Sequence, residues 1–176
     1  WSSDVCSSDL GSGNPAVIGA VTSVMPAGLT TFTGAITLNT NAVLSHGSSW
    51  GPIFQGNITG SGNVTIDGAA GGSVTFQTAA KTYTGTTTIS GVGELLLGVA
   101  NATPNTPSIT IDGGGTLTVS ANQTLASGTQ LRIAATGSAP AATNSILNAR
   151  TMTLSAGGLA FTQYGGGGEA LTQSNA

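Results

Sequence analysis

Short runs of alternating apolar and polar residues, separated by glycine-rich turns, recur through the chain from Asn57 onward. The clearest runs are Val64-Thr65-Ile66, Val74-Thr75-Phe76 and Leu95-Leu96-Leu97. Such alternation is typical of β-strands with one buried face, because successive side chains point to opposite sides of the backbone. No stretch of about 10 residues carries an apolar period of 3.6 residues, so the sequence predicts an all-β fold with essentially no helix.

One spacing, of about 22 residues, recurs among the apolar residues that end these predicted strands. The first column with this spacing consists of Ile66, Ile89, Ile111, Ile133 and Leu154. The second consists of Phe76, Leu97 and Val119, with Phe161 two periods further on. A third, weaker column pairs Leu125 with Leu147 at the same spacing. Three columns with one period predict three short strands per turn of a coil of about 22 residues.

A coil of this kind is a right-handed parallel β-helix, a solenoid in which each strand pairs with its counterpart one turn away. Neighbouring strands would lie about 4.8 Å apart, with like side chains stacked inside and Thr or Asn ladders between turns. A β-sandwich is the alternative, because it also gives alternating strands with frequent turns. It does not require one period in several columns, so we favour the β-helix.

The part of the sequence before Asn57 fits this pattern less well. Between Gly11 and Gly56 the strand candidates are Val17-Ile18, Leu29, Ile36-Thr37-Leu38, Val43-Leu44 and Ile53-Phe54, with a loop predicted over His46 to Pro52. Residues 1–10 have no β-pattern, contain the single cysteine, and resemble the translation of a sequencing adapter. We interpret 1–10 as a non-native or disordered N-terminal segment, and 11–176 as the β-helix with its repeat centred on 57–98.

The charge content restricts the classes of function. Only 5% of the residues are charged, against about 25% in an average protein. The three basic residues, Lys81, Arg132 and Arg150, are too few and too scattered for a nucleic-acid-binding surface. No apolar run is long enough to span a membrane. One cysteine, Cys6, allows no internal disulfide, and we expect neither a metal nor a cofactor.

Two carboxylates occupy equivalent places in the repeat. Asp67 follows Val-Thr-Ile and Asp112 follows Ile-Thr-Ile, each before a glycine. Two acids roughly 10 Å apart on one face could support glycoside hydrolysis. The interpretation that we prefer is structural, because Asp-Gly is a turn dipeptide whose carboxylate caps nearby backbone N–H groups.

Two further residues could carry chemistry. His46 is the only histidine, and without a nucleophile elbow beside it we predict that it lies in a surface loop. Tyr83 could stack on a sugar, but we expect it to pack at a corner of the coil. The sequence therefore predicts no catalytic, cofactor-binding or metal-binding residues.

The stretch 57–98 resembles the autotransporter-associated β-strand repeat of bacterial autotransporter passengers. The resemblance is carried by Gly60-Ser-Gly-Asn-Val64, Gly72-Ser-Val-Thr-Phe76, Thr82-Tyr-Thr-Gly-Thr-Thr-Thr-Ile89 and Gly93-Glu-Leu-Leu-Leu-Gly98. Asp67 departs from the family's lysine position, and the turn from Ser90 to Gly93 is slightly longer than usual. The match covers about a quarter of the chain.

The resemblance implies a secreted or surface-displayed, outer-membrane-associated bacterial protein. In that family the repeat is a non-enzymatic scaffold that assists folding and export, and a C-terminal β-barrel translocator is the expected partner in the full-length chain. The alternative function is a carbohydrate-active β-helix, either a polysaccharide lyase or a hydrolase, or a segment of a phage tail spike.

Overall fold

The computed structural model describes residues 30–134, except Ser48, Gly113, Ser127 and Gly128, together with strands outside that range. These strands span 16–18, 22–24, 146–149, 152–154, 158–162 and 172–174. Side chains are described for 31–132 within the same gaps. All regular structure in this part of the chain is β-strand, with no helix, which confirms the predicted all-β class.

The strands form parallel sheets that stack along one axis. Sheet 1 contains β1 (Ala16–Ile18), β4 (Ile36–Leu38) and β7 (Ile58–Gly60). Sheet 2 contains β2 (Thr22–Val24), β5 (Ala42–His46), β8 (Val64–Gly68), β10 (Thr87–Ile89), β12 (Ser108–Ile111), β15 (Gln130–Ala134) and β18 (Gly158–Thr162). Sheet 3 contains β3 (Thr30–Phe32), β6 (Pro52–Phe54), β9 (Val74–Phe76), β11 (Glu94–Leu97), β13 (Thr116–Val119), β16 (Ile146–Ala149) and β19 (Thr172–Ser174). Sheet 4 pairs β14 (Gln123–Leu125) with β17 (Met152–Leu154).

The chain visits these sheets in turn, and one pass around the coil is called a rung here. Rungs 1 to 3 are β1–β3, β4–β6 and β7–β9; rungs 4 and 5 end in β10–β11 and β12–β13; rungs 6 and 7 are β14–β16 and β17–β19. Each described strand pairs in parallel with a strand one rung away. The structure is therefore a parallel β-helix, as the spacing predicts.

The predicted columns of the central rungs are confirmed. Ile89 pairs in register with Ile66 on one side and Ile111 on the other, and Leu97 lies between Phe76 and Val119. All of these side chains are buried. Stacked side chains of like size close-pack along the axis, and burying each one stabilises the fold by about 1.5–3 kcal/mol.

The coil also extends upstream of Asn57, beyond the part where the period could be counted. Val24 pairs with Leu44, and Leu44 pairs with Ile66, which lengthens the first column. The second column continues through Phe32 and Phe54, whose rings stack 4.9 Å apart. The period is irregular here because Thr22 pairs with Ala42, which makes this turn of the coil shorter than the central ones.

Three column assignments near the C-terminal end of the sequence are wrong. Leu154 pairs with Leu125 rather than with Ile133, Phe161 pairs with Ile133, and Leu147 pairs with Leu117. The physical reason is turn length: residues 135–145 separate β15 from β16, whereas only 112–115 separate β12 from β13. A longer turn shifts the period without changing the pairing, and the alternating pattern alone cannot reveal such a shift.

The prediction of three strands per turn also holds for only some rungs. In rungs 4 and 5 the positions between sheet 3 and sheet 2 are taken by the segments 77–86 and 98–107, which contain no strand. The first segment still follows sheet 1, since the backbone N–H groups of Tyr83 and Thr84 donate to the carbonyls of Ile58 and Gly60, both at 2.9 Å. The coil therefore keeps its course but exchanges a regular strand for irregular backbone on this side.

Candidate functional site

The turn from sheet 2 to sheet 3, called the sheet 2–3 corner here, gathers the acidic residues and the histidine of the described side chains. Asp67 and Asp112 follow Ile66 of β8 and Ile111 of β12, which lie two rungs apart in one register. His46 ends β5 and Glu94 begins β11 at the same corner. These groups come from successive rungs, so the sequence could place them together only once the register was known.

Asp67 caps its own turn. Its carboxylate is exposed and accepts a hydrogen bond of 2.8 Å from the backbone N–H of Gly68. This contact is the one that the turn interpretation of Asp-Gly predicts.

Asp112 lies in a more enclosed position. Its backbone N–H donates to the carbonyl of Ile89 at 2.8 Å, and its carbonyl accepts from Gly115 at 3.1 Å. Ser90 lies between the two acids, with its hydroxyl donating to the carbonyl of Ile66 at 3.3 Å. The two carboxylates are therefore roughly 10 Å apart by the strand spacing, with a serine between them.

His46 does not lie in a surface loop; that prediction is wrong. The residue ends strand β5 and is only 1% exposed. Its Nε2 accepts a hydrogen bond of 2.8 Å from the backbone N–H of Glu94, two rungs away, and its Nδ1 lies 3.0 Å from the carbonyl oxygen of Gly47. The imidazole fits here because the neighbouring positions are glycines: a Cβ on Gly68 would lie 2.5 Å from the ring.

Glu94 directs its carboxylate away from the histidine. Its Oε1 accepts a hydrogen bond of 2.8 Å from the hydroxyl of Thr118, which belongs to the next rung. Within the described ranges, no group of three or more His, Cys, Asp or Glu side chains could hold a metal ion.

A second polar cluster lies inside the coil, next to the irregular segments 77–86 and 98–107. Lys81 is 0% exposed, and its ammonium group donates to the carbonyls of Gln77, at 3.0 Å, and Ala79. The nitrogen also lies 5.6 Å from the centre of the Phe76 ring, a cation–π distance. Burial lowers the pKa of Lys81 to about 8.

Tyr83 is buried in the same cluster. Its hydroxyl hydrogen-bonds to Thr87, whose hydroxyl lies 3.4 Å from that of Thr106. Burial raises the pKa of Tyr83 well above its ordinary value, and the hydrogen bond with Thr87 opposes this shift. The ring is fully enclosed, so it cannot offer a face to a sugar in this structure.

Gln123 completes the cluster by binding irregular backbone. Its Oε1 accepts from the N–H of Ala102 at 2.6 Å, and its Nε2 donates to the carbonyls of Val99 and Ala121 at 2.7 and 2.9 Å. One side chain thus replaces the ladder bonds that a strand would supply in segment 98–107. Sequence reasoning missed this role, and the only available signal was a polar residue at a predicted inward position.

The corner and the cluster differ in what they could do chemically. The cluster is closed to solvent, and Lys81 and Gln123 bond to the backbone there. The corner is open at Asp67, and a serine separates its two aspartates. Among the residues that the structure describes, no helix is suited to crossing a membrane. No protein-family model, curated protein or solved structure matches this chain.

Proposed function

We propose that this chain is a non-enzymatic scaffold segment of a surface-displayed bacterial autotransporter passenger. In this role the coil is a rigid stalk that assists its own export, and a β-barrel translocator is the partner. The proposal rests on the resemblance of residues 57–98 to the autotransporter-associated β-strand repeat. The fold is compatible with it, and with other functions of β-solenoids.

The observation that best supports a scaffold is the use made of the polar side chains. His46, Lys81 and Gln123 each bind backbone groups, and Asp67 caps a turn. Asn63 joins two rungs in the same way, since its Oδ1 accepts from the N–H of Thr86 at 2.9 Å. Side chains committed to holding rungs together are what a stalk needs.

Stacking also offers a physical basis for assisting export. Each rung buries its apolar strands against the rung before it, so folding can proceed along the axis from one rung to the next. Such stepwise burial outside a membrane would oppose backward movement of the chain.

The export role can be tested by fusing the chain to a β-barrel translocator in a Gram-negative host and measuring protease-accessible protein at the surface. We expect wild type and Asp67→Asn to be displayed equally, and Ile89→Asp to be displayed poorly because its rung cannot stack. Equal display of all three would contradict an export role.

A carbohydrate-active function is the second candidate, favoured by the two aspartates on one corner. A spacing of roughly 10 Å would suit an inverting glycosidase. The purified protein would be assayed against a panel of polysaccharides. Cleavage that is lost in both Asp67→Asn and Asp112→Asn would support this function and overturn the scaffold proposal.

A further inference from the structure

We propose that His46 is an acid-released latch that joins rung 2 to rung 4 at the sheet 2–3 corner. The observation is a histidine that bypasses its neighbouring rung. His46 pairs in register with Gly68 of rung 3, yet its ring hydrogen-bonds to Glu94 of rung 4. This inference does not depend on the proposed function.

The hydrogen bonds fix the protonation state in which the latch is closed. A backbone N–H can only donate, so Nε2 must present a lone pair to the N–H of Glu94. The proton of the neutral ring is then on Nδ1, from which it donates to the carbonyl oxygen of Gly47 at 3.0 Å. A second proton, on Nε2, would set N–H against N–H and break the contact between the rungs.

The surroundings supply no hydrogen-bonded counter-ion for an imidazolium among the described side chains. From β8 the nearby acid is Asp67, which is exposed and bonded to Gly68. From β11 it is Glu94, whose carboxylate accepts from Thr118. The described residues of the turn after β5, which include Trp50, and Gly72 before β9 carry no titratable side chain. A buried charge without such a partner is costly.

The sign of the pH effect follows from proton linkage. The closed latch requires a neutral ring, whereas an open or unfolded chain can take up a proton in mildly acidic solution. The open forms then bind more protons, so stability falls as the pH falls. The turn after β5 would be released first, because Gly72 is covered by the carbonyls of Gly47 and Trp50.

Nuclear magnetic resonance tests the latch directly, because His46 is the only histidine of the chain. At about pH 7.5, long-range nitrogen–proton spectra should show the neutral form protonated at Nδ1, with the Glu94 amide protected from exchange. On acidification, the imidazole should become charged and the protection factor of Glu94 should fall about tenfold, as expected for a lost buried hydrogen bond. A ring protonated at Nε2 at neutral pH, or a Glu94 amide that stays protected beside a charged ring, would overturn the proposal.

A His46→Gln variant provides the matched control, since its side-chain oxygen can accept from Glu94 and does not titrate. The urea midpoint would be measured at about pH 7.5 and pH 5 for both proteins. We expect the wild type to lose stability on acidification while the variant changes little. Parallel losses, or a wild type that gains stability because Asp67 or Glu94 captures the imidazolium, would overturn the latch; if the variant does not fold, the wild-type spectra decide.

Discussion

The side of the coil formed by sheets 2 and 3 buries columns of apolar residues, whereas the side formed by segments 77–86 and 98–107 buries lysine, tyrosine, threonine and glutamine. On the first side, backbone groups bond to the next rung, and the side chains have only to fill space. On the second side the strand is missing, and Lys81 and Gln123 bond to the carbonyl and N–H groups that a ladder would otherwise pair. A rung can therefore lose a strand if polar side chains take over its hydrogen bonds.

The two sides should also fail differently. An apolar column fails when a charge enters it, since nothing inside can pair with that charge. The polar cluster fails when a side chain that binds the backbone is replaced by an apolar one of similar size. Three substitutions and one change of pH separate these cases.

The largest effect is expected for Ile111→Asp. Ile111 is fully buried between Ile89 and Ile133 in register, so the variant puts an unpaired carboxylate into the column. We expect a loss of more than about 4 kcal/mol in the free energy of unfolding, measured by chemical denaturation. Thr110→Asp, on the half-buried outer face of the same strand, should lose far less; equal losses would contradict the buried column.

Gln123→Leu should have the next largest effect. The leucine keeps the apolar volume but leaves the N–H of Ala102 and the carbonyls of Val99 and Ala121 without this partner. We expect a loss of roughly 3 kcal/mol in the free energy of unfolding. Gln130→Leu, at an exposed position, is the control and should change little; a stabilised Gln123→Leu would show that the cluster is not needed to hold segment 98–107.

Tyr83→Phe isolates one hydrogen bond of the cluster. It removes the hydroxyl that bonds to Thr87 and keeps the buried ring. The expected loss is about 1 kcal/mol, read from the thermal midpoint. A loss as large as that of Gln123→Leu would mean that the hydroxyl network acts as one unit.

The smallest effect is a dependence on alkaline pH. The folded-state pKa of Lys81 is lowered to about 8, so between pH 8 and about 10 the unfolded chain holds a proton that the folded chain has released. Stability should therefore rise with pH in this window. Above about pH 10 the raised pKa of Tyr83 acts in the opposite direction, because the unfolded tyrosine loses its proton first. A Lys81→Met variant should lack the rise, and a wild-type profile that falls between pH 8 and about 10 would contradict the assignment.

The same contrast explains what the sequence could predict. The columns from Ile66 to Ile133 and from Phe76 to Val119 were predictable, because stacked apolar residues repeat at the period of the coil. The columns beyond Ile133 were not, because the longer turn before β16 shifts the period. The turn role of Asp67 was also readable, since an Asp-Gly pair bonds locally.

The environments of His46 and Lys81 could not be predicted in this way. The partner of His46 lies two rungs away and those of Lys81 lie in irregular backbone, and neither arrangement repeats along the chain. A lone polar residue carries no periodic signal, so composition alone suggested a surface position for the histidine. Glycines at 47, 68 and 72 were a signal of close approach, but only the register shows what approaches them.

The central claim is the parallel register between rungs, and nuclear Overhauser effects between backbone protons of neighbouring strands measure it most directly. We predict that β10, around Thr88, shows contacts to Thr65 on one side and to Thr110 on the other, each one turn of the coil away. Antiparallel contacts between strands that follow each other in sequence, such as β8 with β9, would instead indicate a sandwich built from hairpins and would contradict the β-helix.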